Sequence, residues 1–163
     1  MPYIEIITKI RSPNTIVFDL SRSIDAHQAT QTSHNERAVA GRVTGLIEMG
    51  GDVTWEATHF GVRQKLTNRI VQMDRPRHFR DSLVSGASKR FDHDHFFEST
   101  SQDSTTMRDI FDSTSPLGFL GVIADSLFLC SYMRRLFEER NEIIKRIAES
   151  GDYGKYLSTS YTA

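Results

Sequence analysis

Phe91-Asp92-His93-Asp94-His95-Phe96-Phe97 is the stretch whose reading decides the fold. A strand sends alternate side chains to opposite faces. Phe91, His93, His95 and Phe97 therefore share one face, and Arg90, Asp92, Asp94 and Phe96 the other. The first face is apolar apart from two imidazoles, so it should look inward. An inner face that carries polar groups suits a pocket.

Outward from this strand the pattern continues. Residues 52–60 set Val53, Trp55, Ala57 and His59 on one face, and 64–73 follow the Gly61 turn. After Asp74-Arg75-Pro76, a turn sequence, residues 77–85 align Phe79, Asp81 and Leu83. Gly86-Ala87-Ser88 turns into the histidine strand. Residues 99–104 read as a polar loop, and 105–112 align Met107, Asp109 and Phe111.

The flanks differ. Residues 3–10 alternate as a strand, and Asn14 or Thr15 is placed to cap a short helix carrying Ile16, Val17, Phe18 and Leu20. A second short helix and a loop are expected within 21–34, and a strand over 36–42. Residues 44–51 form an apolar loop with Leu46, Ile47 and Met49, suited to cover a cavity mouth. Ser115-Pro116 should start a long helix, stopped at Gly151, with a bend expected near Gly121 or Asp125. Its apolar side holds Leu120, Ile123, Ala124, Leu127, Ser131, Leu136, Phe137, Ile143, Ile144 and Ile147. Glu138, Glu139, Arg140, Glu142, Lys145 and Arg146 are assigned to solvent. The domain is placed at 1–150, and 151–163 is expected to be a loose tail.

Composition narrows the class. The chain has 163 residues, 38% hydrophobic and 25% charged, with net charge −1. One domain with a real core is expected. No overall field draws nucleic acid, and the basic cluster Arg75, Arg77, His78 and Arg80 reads as a solvated strand end. With one cysteine, Cys130, no internal disulfide can form. Cys130 reads as a small buried hydrophobe. The start carries no basic region or long apolar run, and residues 117–129 are too short to span a bilayer. A cytoplasmic chain without membrane insertion is expected, and a homodimer is left open. No phosphate-cradling glycine loop or nucleophile elbow is present.

The turns also assign cross-strand partners, which sit about 5 Å apart. A tight hairpin at Ala87 pairs Asp81 with His93. Symmetric closure of the 99–104 loop pairs His93 with Asp109 and His95 with Met107. The result is an inward row, Asp81–His93–Asp109, which His59 and Asn68 could join. At the 74–76 turn a three-residue loop sets Arg69 opposite Asp81, and a four-residue loop sets Ile70 there. Four uses of the row compete: a buried polar network that fixes register, a polar anchor in a ligand cavity, acid–base chemistry by His93 or His95 oriented by Asp81 or Asp109, and a metal site. His-x-His alone is a short motif, so no metal and no cofactor is expected.

A set of segments carries a family resemblance: Gly45-Leu46-Ile47, Val53-Thr54-Trp55-Glu56-Ala57 with His59-Phe60-Gly61, Pro76 with Phe79-x-Asp81, Gly86, His93-x-His95-x-Phe97, residues 105–109, Ser115-Pro116-Leu117-Gly118 and Glu139-Arg140-Asn141. Over residues 3–149 the chain resembles the helix-grip fold of the START-like, Bet v 1-like (SRPBCC) group. It is most similar to bacterial members labelled polyketide cyclase/dehydrase-like. The resemblance implies an α+β fold: a curved seven-stranded antiparallel sheet wrapped around a long C-terminal helix, with two short helices and a cavity. Members bind lipids, sterols or aromatic polyketides, and some are cyclases. Ser113 departs from the aromatic often found before the final Ser/Pro turn.

The expected function is binding of a small, largely hydrophobic molecule, lipid-like or aromatic. The expected site is Trp55, His59, Phe79, Asp81, Leu83, Phe91, His93, His95, Phe97, Met107, Asp109, Phe111 and Leu127, with Met133 as a further wall. The alternative is a cyclase or dehydratase using His93 or His95 as general acid or base, with Asp81 and Asp109 as further catalytic candidates.

Overall fold

A computed structural model describes residues 3–30, 35–59, 61–114 and 122–157, the side chains at 59 and 122–127 excepted. Strand β1 (Tyr3–Ile10) leads into helices α1 (Asn14–Ser21) and α2 (Ile24–Thr30). Six strands follow: β2 (Arg37–Gly41), β3 (Asp52–His59), β4 (Val62–Asp74), β5 (His78–Ser85), β6 (Arg90–Ser101) and β7 (Ser104–Thr114). Helices α3 (Val122–Ser150) and α4 (Gly154–Leu157) close the chain. The strands form one antiparallel sheet in the order β1-β7-β6-β5-β4-β3-β2.

Period-two patterning explains the sheet. Along β7, Thr105, Met107, Asp109, Phe111 and Ser113 are buried while their neighbours are half-buried. On β6 the inward set is Phe91, His93, His95 and Phe97, as the alternation requires. Asp94, on the opposite face, is buried as well. Arg80 grips both its oxygens at 2.8 Å, and His78 Nε2 lies 2.7 Å from Oδ1.

Two strand partnerships differ from expectation. Asp81 pairs with His93 as the Ala87 hairpin requires. However, His95, not His93, lies opposite Asp109, and His93 faces Phe111. The reason lies in residues 99–104, which are not a loop. β6 continues to Ser101, β7 starts at Ser104, and a bulge sits between Ser99 and Ser101. The pairing moves by two residues, so every side chain keeps its face. On β4, Ile70 lies opposite Asp81 and Arg69 turns outward, where it grips Asp52. The chain reverses at Arg75-Pro76-Arg77, and a bulge between Ile70 and Gln72 restores that register.

Among the described residues, hydrophobic burial divides into two clusters. The larger joins β-strand residues such as Trp55, Phe79, Phe97 and Met107 to Phe18, Leu46, Ile47, Ile144 and Leu157. The smaller holds Ile4, Ile6, Phe91 and Phe111, with Met133, Phe137 and a half-buried Cys130 packed on it. Pro13 occupies the cap of α1 without a side-chain hydrogen bond, and Asn14 is already helical, so neither Asn14 nor Thr15 caps it. Leu46 and Ile47 of the 44–51 loop are buried, whereas Met49 is exposed. Arg22 fastens that loop, donating to the Ile47 carbonyl at 3.1 Å and to Glu48 at 2.8 Å. The chain beyond Gly151 is not loose as far as Leu157: α4 folds back, Leu157 is buried, and Ser23 Oγ donates to the Tyr156 carbonyl at 2.9 Å. The expected helix start at Ser115-Pro116, the Gly121 bend and residues 158–163 lie outside the described residues.

Candidate functional site

Four strands and one helix meet at a buried polar cluster. Asp81 comes from β5, His93 and His95 from β6, Asp109 from β7, Asn68 from β4, and Arg140 and Asn141 from α3. His95 is the centre. Its Nδ1 lies 2.5 Å from Asp109 Oδ1 and its Nε2 lies 3.1 Å from Asp81 Oδ2. An ionised carboxylate can only accept, so both ring nitrogens donate and the imidazole is cationic. Burial pushes the His95 pKa down, but the Asp109 charge and the hydrogen bonds to Asp109 and Asp81 outweigh it and raise the pKa.

The carboxylates are held in turn. Asn68 Nδ2 donates to Asp81 at 2.6 Å. Asn141 Nδ2 donates to Asp109 Oδ2 at 2.5 Å, and Arg140 stands 3.7 Å from Oδ1. Burial favours the neutral form of Asp81, yet the bond to His95, the neighbouring imidazoles and the Asn68 amide take its pKa down to about 2. Asp109 falls well below the ordinary carboxylate range: the His95 charge, the imidazoles beside it and Arg140 overcome burial. Asp81 and Asp109 against His95 and Arg140 leave no net charge, which a low-dielectric interior requires.

His93 is different. Its ring centroid lies 3.9 Å from that of His95 and 4.7 Å from that of Phe137. Burial and the charge on His95 lower its pKa, and the nearby Asp109 and Asp81 offset this only in part. His93 is therefore the neutral member of the pair. Its Nε2 is buried without a hydrogen-bond partner among the described residues, 3.6 Å from Asp109 Oδ1. The imidazoles bridge the two apolar clusters, since His95 stacks on Phe79 at 4.3 Å while His93 meets Phe111 and Phe137.

The cluster forms part of the wall of a hollow of about 590 Å³, within the range of small-molecule sites. Of the expected residues, Trp55, Phe79, Asp81, Phe91, His93, His95, Phe111 and Met133 line it. Four others do not. Phe97 packs edge-on against Phe18, and Met107 is fully buried in the larger cluster. Leu83 packs on the smaller cluster. Asp109 sits behind His95, where it orients that ring. The side chains of His59 and Leu127 lie outside the described residues.

Sequence reasoning missed two groups. Arg140 and Asn141 are 4% and 1% exposed, although residue type assigns Arg140 to solvent. Met133, Leu136, Phe137, Arg140, Asn141, Ile144 and Ala148 recur at helical spacing, so the two polar residues fall within the apolar stripe. That spacing is the available signal; residue type hides it. The second group is His27, Glu36 and Tyr132, which also line the hollow. His27 stacks on Trp55 at 4.1 Å and lies 3.1 Å from Glu36 Oε1. The basic cluster is paired: Arg77 with Asp74, Arg80 and His78 with Asp94, and Arg75 with Glu48. No helix among the described residues is long and apolar enough to cross a membrane.

Solved structures share this architecture. A START superfamily protein from Mycobacterium smegmatis superposes with a TM-score of 0.68 at 8% identity, over 91% of this chain and 97% of that one. A protein from Thermus thermophilus gives 0.67 at 13% identity, over 88% and 97%. Ara h 8.0201 gives 0.59 at 11% identity, over 87% and 96%. No family model and no curated protein matches the chain. At these identities the likeness carries the fold, which is the α+β helix-grip fold of START-like, Bet v 1-like proteins.

Proposed function

We propose that this chain binds a small, largely hydrophobic molecule in the hollow between the sheet and α3. The hollow itself carries the reading. Its exposed wall surface is mainly apolar, and Asp81, His93 and His95 supply one polar group within it, beside His27, Glu36, Asn68 and Arg140. An occupant gains by removing apolar surface from water, about 25 cal/mol per Å². Trp55, Phe79, Phe91, Phe111 and Phe137 favour a flat or ring-bearing molecule, in keeping with the polyketide cyclase-like resemblance. Native mass spectrometry of gently purified protein tests this. A co-purifying mass released by organic solvent is expected. Protein found only at its bare mass, and unable to take up a naphthalene-sulfonate probe, would remove the proposal.

A second reading, an acid–base enzyme, is favoured by one observation. His95 has both nitrogens engaged, whereas His93 is neutral and unpartnered at Nε2. A general base needs a free lone pair near the reacting proton, so His93 is the candidate. His93→Gln should abolish turnover of whatever the hollow is found to hold; undiminished turnover excludes it.

A further inference from the structure

We propose that Asp81, His93 and His95 together bind one divalent transition-metal ion, such as zinc or iron(II), at the wall of the hollow. This goes beyond the ligand reading and stands without it, and it departs from the expectation of no metal.

The donor set is the first argument. One ligand atom from each of the three residues lies within 4.8 Å of the other two, and all three residues are buried. His95 Nε2 and Asp81 Oδ2 are 3.1 Å apart. Metal bonds of about 2.1 Å at right angles place neighbouring ligands about 3 Å apart. That pair already has ligand spacing, and the His93 donor lies within 4.8 Å of both. Two imidazoles and one carboxylate suit zinc in open catalytic sites and iron(II) in facial-triad sites. Because Asp81, His93 and His95 all line the hollow, the remaining coordination positions open towards an occupant.

The supporting groups are the second argument. A metal-bound histidine usually donates its other ring N–H to a carboxylate, which fixes the ring and its tautomer. His95 does this through Nδ1 to Asp109, and Asp109 is secured by Asn141. Asn68 holds the far oxygen of Asp81. His93 Nε2 has no hydrogen-bond partner among the described residues, and in the tautomer that leaves this nitrogen unprotonated its lone pair is available to an ion. On binding, the ion replaces the proton on His95 Nε2, which leaves to solvent, while the Nδ1 proton stays shared with Asp109.

Chelator-treated, dialysed full-length protein should be titrated with cobalt(II) and followed by visible absorption. Saturation at one ion per chain is expected, reversed by zinc. His93→Gln and Asp81→Asn should each weaken binding by at least about a hundredfold, while Asp94→Asn on the outer face should leave it unchanged. No saturable signal in the wild-type protein would overturn the proposal. So would equal binding by His93→Gln, or loss of binding in Asp94→Asn. Should the inner variants fail to fold, paramagnetically shifted imidazole N–H resonances decide. Two shifted histidines in cobalt-loaded wild-type protein support the site; fewer overturn it.

Discussion

A carboxylate at each ring nitrogen fixes the protonation of His95, and the consequences are measurable one side chain at a time. Removing Asp109 leaves His95 and Arg140 as buried cations without their shared partner. In metal-free protein Asp109→Ala should cost about 3–5 kcal/mol in urea unfolding, whereas Arg69→Ala, which breaks an exposed pair with Asp52, should leave the urea midpoint almost unchanged. Equal costs would contradict the buried-charge account. Acid should act through the same carboxylates. Asp81 is depressed from 3.8 to about 2, so its contribution, roughly 2 kcal/mol, is complete above pH 4 and lost as pH falls towards 2. His95 has the opposite sign. Its pKa is raised above 6.5, so its contribution is complete below that value and fades as pH climbs through the folded-state pKa. Melting temperatures of Asp81→Asn should show a shallower acid fall than the wild type; parallel curves would assign acid unfolding elsewhere. Much of this cluster was legible in the sequence, because face assignment needs only parity. The partner of Asp109 was not, since the tight turn after Ser101 and the bulge at residues 99–101 together move the pairing by two and alternation is blind to an even shift. Arg140 is hidden because its charge argues for solvent while its place in the helical repeat argues for the core.

At the level of elements, strands with strict alternation could be read directly, as β6 and β7 show. Turn length proved a weaker guide to β4 and β5. Residues 75–77 reverse the chain, yet the bulge beside Val71 rather than the turn decides that Ile70 faces Asp81. The short α4 carries almost no periodic signal, and only packing reveals it. Leu157 is 7% exposed, and Tyr153 and Tyr156 lean on the same cluster. A chain truncated after Gly151 should therefore lose about 2–3 kcal/mol, seen as a lower urea midpoint. An unchanged midpoint would show that α4 contributes nothing to the core.

Across the whole molecule, the hollow makes tolerance to bulk uneven. Ala57 lines it, whereas Ala26 is fully buried in the larger cluster. Ala57→Leu should cost less than about 1 kcal/mol, and Ala26→Leu about 1–3 kcal/mol, compared by thermal melting. A reversed order would mean that the space beside Ala57 is already filled. The hollow was inferable only as a polar inner face in search of an occupant, because its volume depends on how far α3 stands from the sheet.

Among the described residues the sheet does not close on itself, and its first and last strands, β1 and β2, each have a strand neighbour on one side only. At one margin β2 is five residues long and interrupted by a bulge after Ala38. At the other, Arg134 reaches from α3 to the Glu5 carbonyl at 3.2 Å. A short kinked border and one occupied by a cation are both poor templates for a visiting strand. Such margins resist the edge-to-edge stacking that leads to fibrils, and they direct any self-association of this chain towards its side-chain surfaces.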